Sequence, residues 1–367
     1  MIGVVTTPLR YCADSSERIA RLRSLYERRA QDRIFARMDV AGETLRRFAQ
    51  QHPAGYSPRP EIADRLAFWD ALLAERQAVH DDAVPSAYLS EFDQGLYGGL
   101  IGGDVQYMAH PENGWVSSMV PPVTRAWEEL DTLAADADGE LWSYYVRALD
   151  AFAEASRGRY GVSHFILIDA LNFVFELVGA TRTYLLLEDE PDKVRRAIDF
   201  AFHLNLRVQR EFFARMPLLE GGTCSNMAGW LPGRAVSESV DPYHMTSPAY
   251  FDRWGREPVE RILAEFDGGV IHIHGNGRHL VPAVSTVRGL TAIGLFNDRG
   301  FAPAVSEVQR FRALAPELPL IVDAEFGDFI AAFERHALAG GVFYSVRDVP
   351  DPDTANRWMD RIRAYRT

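Results

Sequence analysis

The chain has 367 residues, 47% of them apolar and 25% charged, which fits a folded chain with a large core and not a disordered one. No apolar run reaches the roughly 20 residues that span a bilayer, and the opening MIGVVTTPLRYCADSSER lacks the basic and apolar regions of a signal peptide, so a cytoplasmic location is expected. A formal net charge of −12 with scattered arginines offers no basic stripe for phosphates, which excludes nucleic acid and leaves small molecules as the expected partners.

In chain order, Ser15 to Gln31 reads as a surface helix, and residues 1–33 form an N-terminal helical extension. Ile34 to Val40 reads as a strand, followed by helices over Gly42 to Gln51 and Glu61 to His80 and a second strand over Ser86 to Phe92. Gly95 to Pro122, rich in glycine, proline and aromatics, reads as a long functional loop, and helical spacing returns over Val123 to Ala134 and Gly139 to Arg157. Val162 to Asp169 is the third strand, and Asp192 to Arg215 a long amphipathic helix. Strands at Arg234 to Asp241, Gly269 to His274, Leu290 to Asn297, Leu318 to Glu325 and Gly341 to Arg347 then alternate with helical patterns to the end of the chain. Eight strands alternating with helices predict an α/β fold, a (β/α)8 TIM barrel in a single domain over residues 1–367. The competing doubly wound sheet lacks its glycine fingerprint, since IFARMDVAGETL holds no G-x-G-x-x-G and GGLIGGD does not join a strand to a helix.

The two cysteines, Cys12 and Cys224, make no disulfide framework, and Lys193, the only lysine, reads as a solvated first helical turn. Imine chemistry is therefore not expected. In a barrel the chemistry lies at the carboxyl ends of the strands. Those ends offer Arg37 and Asp39, Glu91 and Asp93, Asp169, Glu238 and Asp241, His272 and His274, Asn297 and Asp298, Asp323 and Glu325, and Arg347 and Asp348. Some of these are expected to be helix caps. The sharpest feature is IHIHGNGRHL: a period of two sends His272 and His274 to one face, where two imidazoles either chelate a divalent metal or divide between a core hydrogen bond and an anionic substrate. Asp241 in SVDPY is an acid/base, a residue orienting a histidine, or a turn residue. Trp115, Trp142 and Trp230 suit an aromatic wall or the core.

VIHIHGNGRHLVPAV resembles the H-x-C-G-N/H-x-H-G-N segment of the uroporphyrinogen decarboxylase superfamily, which includes cobalamin-dependent methyltransferases. WLPGRAVSESVDPYHMTSPAYFDRW, RIARLRSLYERRAQDRIFARMDV and GGVFYSVRDVPDPDTANRWMDRIRAY resemble its acidic strand end, opening and closing segments, so the likeness spans most of the chain. In the methyltransferase branch it implies a zinc ion held by the H-x-C pair and a distal cysteine, and a corrinoid carried by a partner protein. Here His272 matches the first ligand, His274 replaces the cysteine, and Asp348 falls near the distal one, so the implied metal set is His272, His274 and Asp348. Asp241 and Glu91 are then expected to place protons, and Arg37, Asp39, Asn276 and Glu325 to contact substrate. In the decarboxylase branch it implies a metal-free site with an acidic residue near Glu91 and arginines for propionates, although the R-Q-A-G-R-Y motif is absent. A non-catalytic ligand-binding barrel is the third expectation. A homodimer is expected by analogy only.

Overall fold

A computed structural model describes residues 8–167 and 170–367. The parallel strands are β1 (Ile34–Val40), β2 (Ser86–Tyr88), β3 (Gly161–His164), β4 (Ile166–Leu167), β5 (Ala235–Ser239), β6 (Gly268–Ile273), β7 (Leu290–Leu295), β8 (Leu320–Glu325) and β9 (Val342–Val349). Seven of these strands form one sheet in the order β1-β9-β8-β7-β6-β5-β4, every pair parallel. The chain passes from β3 to β4 across Phe165, and β3 pairs in parallel with β2. Seven parallel strands thus lie in one sheet, and β2 and β3 form a parallel pair in another. Among the described residues no ladder joins β1 to β2; the edge N–H groups of Ala36 and Met38 donate instead to the carboxylates of Asp82 and Asp81, at 3.0 and 2.8 Å.

Both faces of the sheet are covered, which is why its strands are almost continuously apolar. Ile34, Ala36, Ile271, Ile293, Leu320, Val322, Val342 and Tyr344 join the core shared with the outer helices. Phe35, Ala235, Val270, Ala292, Ile321 and Phe343 form a second core with Ile19 and Leu22 of the helix Ser15–Tyr26 and with Trp230. The opening helix thus packs beneath the sheet. A hairpin, Gly222–Ser225 with Gly229–Pro232, pairs with β3 and adds to this second core. Gly229 has φ +73°, and a Cβ there would meet Leu22 Cδ1 at 3.1 Å, so both backbone and space call for glycine.

The segment read as a functional loop carries a short helix, Gln94–Gly99, and a hairpin, Gln106–His110 with Trp115–Met119, to which Gly55–Ser57 adds an edge. The second strand is shorter than predicted, because Ser90–Phe92 winds into a 3-10 turn. Asp169, predicted at the end of the third strand, lies outside the described residues. Among the described residues no single helix is long and apolar enough to cross a membrane; the apolar pair Ala170–Val178 and Ala180–Asp189 bends by 111°.

Candidate metal centre at the carboxyl ends of adjacent strands

Ladder register locates the site. Val270, Ile321, Phe343 and Phe35 lie on the face of the second core, and two residues further on the same face presents His272, Asp323, Ser345 and Arg37. A polar layer therefore lies on an apolar one, toward the carboxyl ends of the strands. His272 is near the end of β6 and His274 one residue past it, at the start of the 3-10 turn Gly275–Leu280. Asp241 opens the 3-10 turn Asp241–Met245 just after β5, where Pro242 fixes φ and prevents the strand from continuing.

Three imidazoles surround one carboxylate oxygen. Asp241 Oδ1 lies 3.3 Å from His272 Nε2, 3.6 Å from His244 Nδ1 and 3.9 Å from His274 Nε2. The oxygen is buried and has no hydrogen bond of good geometry, as is true also of His272 Nδ1 and His244 Nε2. Burial alone would raise the Asp241 carboxyl; the imidazoles, His272 foremost, override it and hold the group well below the usual carboxylate range. Burial would likewise lower His272, but the charge of Asp241 outweighs it and raises the imidazole. His244 is pushed down to about 4, by burial first.

Donor atoms of Asp241, His272 and His274 all fall within 4.8 Å of one another, close enough to ligate one divalent ion. The residues fit a metal on two further grounds. A buried carboxylate oxygen with no good hydrogen bond at the centre of the group calls for a positive partner, which a metal ion would supply. In addition, Asp298 accepts from His274 Nδ1 at 3.0 Å, which places the proton on Nδ1 and leaves the Nε2 lone pair on the Asp241 side, the usual support for a metal-binding histidine. Asp298 also accepts from the Gly275 amide, fixing the turn that carries His274. Gly277 admits the His244 ring, since a Cβ at this position would lie 2.1 Å from His244 Cδ2.

The expected residues divide. His272 and His274 come together, and the carboxylate that joins them is Asp241. Asp348 is not in the group: the β1–β9 register shifts between Met38 and Val40, Asp348 is exposed at φ +60°, and β8 and β7 separate its strand from β6. Glu91 turns away to a buried ion pair with Arg65, 3.6 Å apart. Asp93, two residues on, lies within reach of the charges of His272 and Asp241 instead. Burial raises its carboxyl to about 7, against the charge of His272 and with that of Asp241. Arg37 and Asp39 bind each other at 2.7 Å, and Arg76 joins Asp39 at 3.0 Å. Asn276 is exposed, its amide 3.7 Å from Met245 Sδ, and Glu325 is exposed at the end of β8. Asp323 is buried 3.4 Å from Arg347. Trp230 is core, its Nε1 donating to the Leu219 carbonyl. His244 joins the group although nothing in its sequence spacing ties it to His272.

No protein-family model and no curated protein matches the chain. Among solved structures it is similar to a methyltransferase from Methanosarcina mazei, at 13% identity and a TM-score of 0.61, with 95% of this chain and 98% of that one covered. At that identity the likeness is one of fold.

Proposed function

We propose that this chain is a metal-dependent enzyme of the uroporphyrinogen decarboxylase superfamily on a (β/α)8 barrel, transferring a methyl group to a small-molecule acceptor, with a corrinoid protein as methyl source. The observation that carries this reading is the convergence of Asp241, His272 and His274 around a buried carboxylate oxygen without a good hydrogen bond at the carboxyl ends of adjacent parallel strands. The barrel is supported by seven parallel strands in one sheet and the parallel pair of β2 and β3, with a core on each face. Methyl transfer is supported by the fold shared with the archaeal methyltransferase.

Three protein donors are the number that catalytic zinc sites use, against four in structural ones. Bound there, zinc supplies the electrophilic charge that favours the deprotonated, nucleophilic form of an acceptor. The chain's own groups do the rest. Asp298 holds the His274 ring in one tautomer and orientation. Asp93, with its carboxyl raised to about 7, takes up the proton that the acceptor gives up near neutral pH. The metal-free decarboxylase reading assigns substrate carboxylates to Arg37, and Arg37 is committed to Asp39 and to the Asn226 carbonyl.

The test is the zinc content of tag-free protein, compared with a His272→Ala/His274→Ala double variant, followed by demethylation of methylcobalamin in the presence of thiol acceptors. Near-stoichiometric zinc in the wild type, lost in the variant together with demethylation, is the expected result. Wild-type protein that takes up no zinc overturns the reading.

A further inference from the structure

Two strands from the histidines, the same sheet face ends in a pair of opposite charges that do not satisfy each other. Register sets Glu325 of β8 directly opposite Arg347 of β9. The links His272 to Gly294, Gly294 to Ile321 and Ile321 to Phe343 carry that face back to His272. Directly opposed side chains are about 5 Å apart at Cβ, near enough to pair. Glu325 nevertheless has no ion pair or hydrogen bond among the described residues, is exposed, and stands before the helix Phe326–Glu334 without capping its amides. Arg347 turns instead to Asp323 at 3.4 Å, beyond good hydrogen-bond geometry, and its side chain stays 47% exposed.

The other arginines at this end are occupied. Arg37 holds Asp39 and the Asn226 carbonyl, and Arg76 holds Asp39 and Asp81. What is left open at the ends of β8 and β9 is one free carboxylate beside one half-free guanidinium. A simple anion there would meet Asp323, Glu325 and exposed Asp348, and a simple cation would meet Arg347. A group carrying both charges a few ångströms apart satisfies both.

We propose that the acceptor is an amino acid, its α-carboxylate paired with Arg347, its α-ammonium with Glu325, and its side chain directed along the shared face toward Asp241, His272 and His274. Strand spacing puts β6 about 10 Å from β8 across β7, and Glu325 lies four residues, about 13 Å, beyond the position level with His272, so the side chain that spans the gap is a long, extended one. The direction of the side chain rests on the metal reading above; recognition of the head group does not.

The test is calorimetric titration of L-norvaline, pentanoate and butylamine into chelator-treated wild-type protein and its Arg347→Gln and Glu325→Gln variants. Both positions are exposed at strand ends, and circular dichroism checks that the variants fold. L-Norvaline is expected to bind about tenfold or more tighter than either single-charge analogue, and to lose that advantage in each variant. Three results overturn the proposal: no binding of L-norvaline, equal binding of the three probes, or pentanoate binding as well as L-norvaline and weakened only by Arg347→Gln. Because no metal is present, these outcomes are independent of whether zinc binds, and failure here is distinguishable from failure of the metal reading.

Discussion

His164 shows how one buried imidazole couples this fold to acid. It is completely buried in β3, Nδ1 accepts from the Ser237 amide at 3.3 Å, and Nε2 pairs with Gln209 Oε1. Burial lowers it from 6.5 to about 4. The folded state thus binds this proton less readily than the unfolded chain, so the contribution is intact above pH 6.5 and is lost as the pH falls toward 4. Urea unfolding should show about 2 kcal/mol less stability at pH 5 than at pH 7 from this residue. A His164→Leu variant, weaker at pH 7, should show a correspondingly smaller fall; an unchanged fall would refute the assignment. At this scale the sequence was informative where period two decides the matter: His272 and His274 share a side because alternation requires it. Which carboxylate meets them depends on how neighbouring strands are staggered, and no spacing within one segment encodes that. Asp241 was therefore legible as a candidate but not as the third member, and Asp348 was placed there only by alignment with a relative.

Element by element, the apolar strands β5 to β9 were legible because burial on both faces demands runs such as LIVDAE and VFYSV. The three-residue β2 and the hairpin in GGTCSNMAGWLP were not, since so few residues and so many small ones give no periodicity. The end of β2 has a chemical consequence. Because the chain winds into a 3-10 turn at Ser90, Glu91 pairs with Arg65 in the core, while Asp93 lies within reach of the charges of His272 and Asp241. Burial drives Glu91 up and Arg65 down, toward their neutral forms, so each depends on the other. Glu91→Gln is expected to cost about 3 kcal/mol in urea unfolding by stranding the Arg65 charge, while zinc uptake stays unchanged. Loss of zinc with unchanged stability would return Glu91 to the site.

Across the whole molecule, one face of the parallel sheet changes character along its strands, from an apolar core closed below by the first helix to a layer of His272, Asp323, Ser345 and Arg37. That layer is divided. Around β1 the charges of Arg37, Arg76 and Asp39 neutralise one another, whereas around β5 and β6 a buried carboxylate oxygen without a good hydrogen bond sits among three imidazoles. The net charge of −12 does not explain this local arrangement; a bound cation would. The most direct measurement is equilibrium zinc titration, against a competing chelator, of wild-type, Asp241→Asn and Asp348→Asn proteins. One zinc per chain in the wild type and in Asp348→Asn, with affinity falling about a hundredfold in Asp241→Asn, is the predicted outcome. Undiminished affinity in Asp241→Asn, or its loss in Asp348→Asn, would contradict the assignment of this centre.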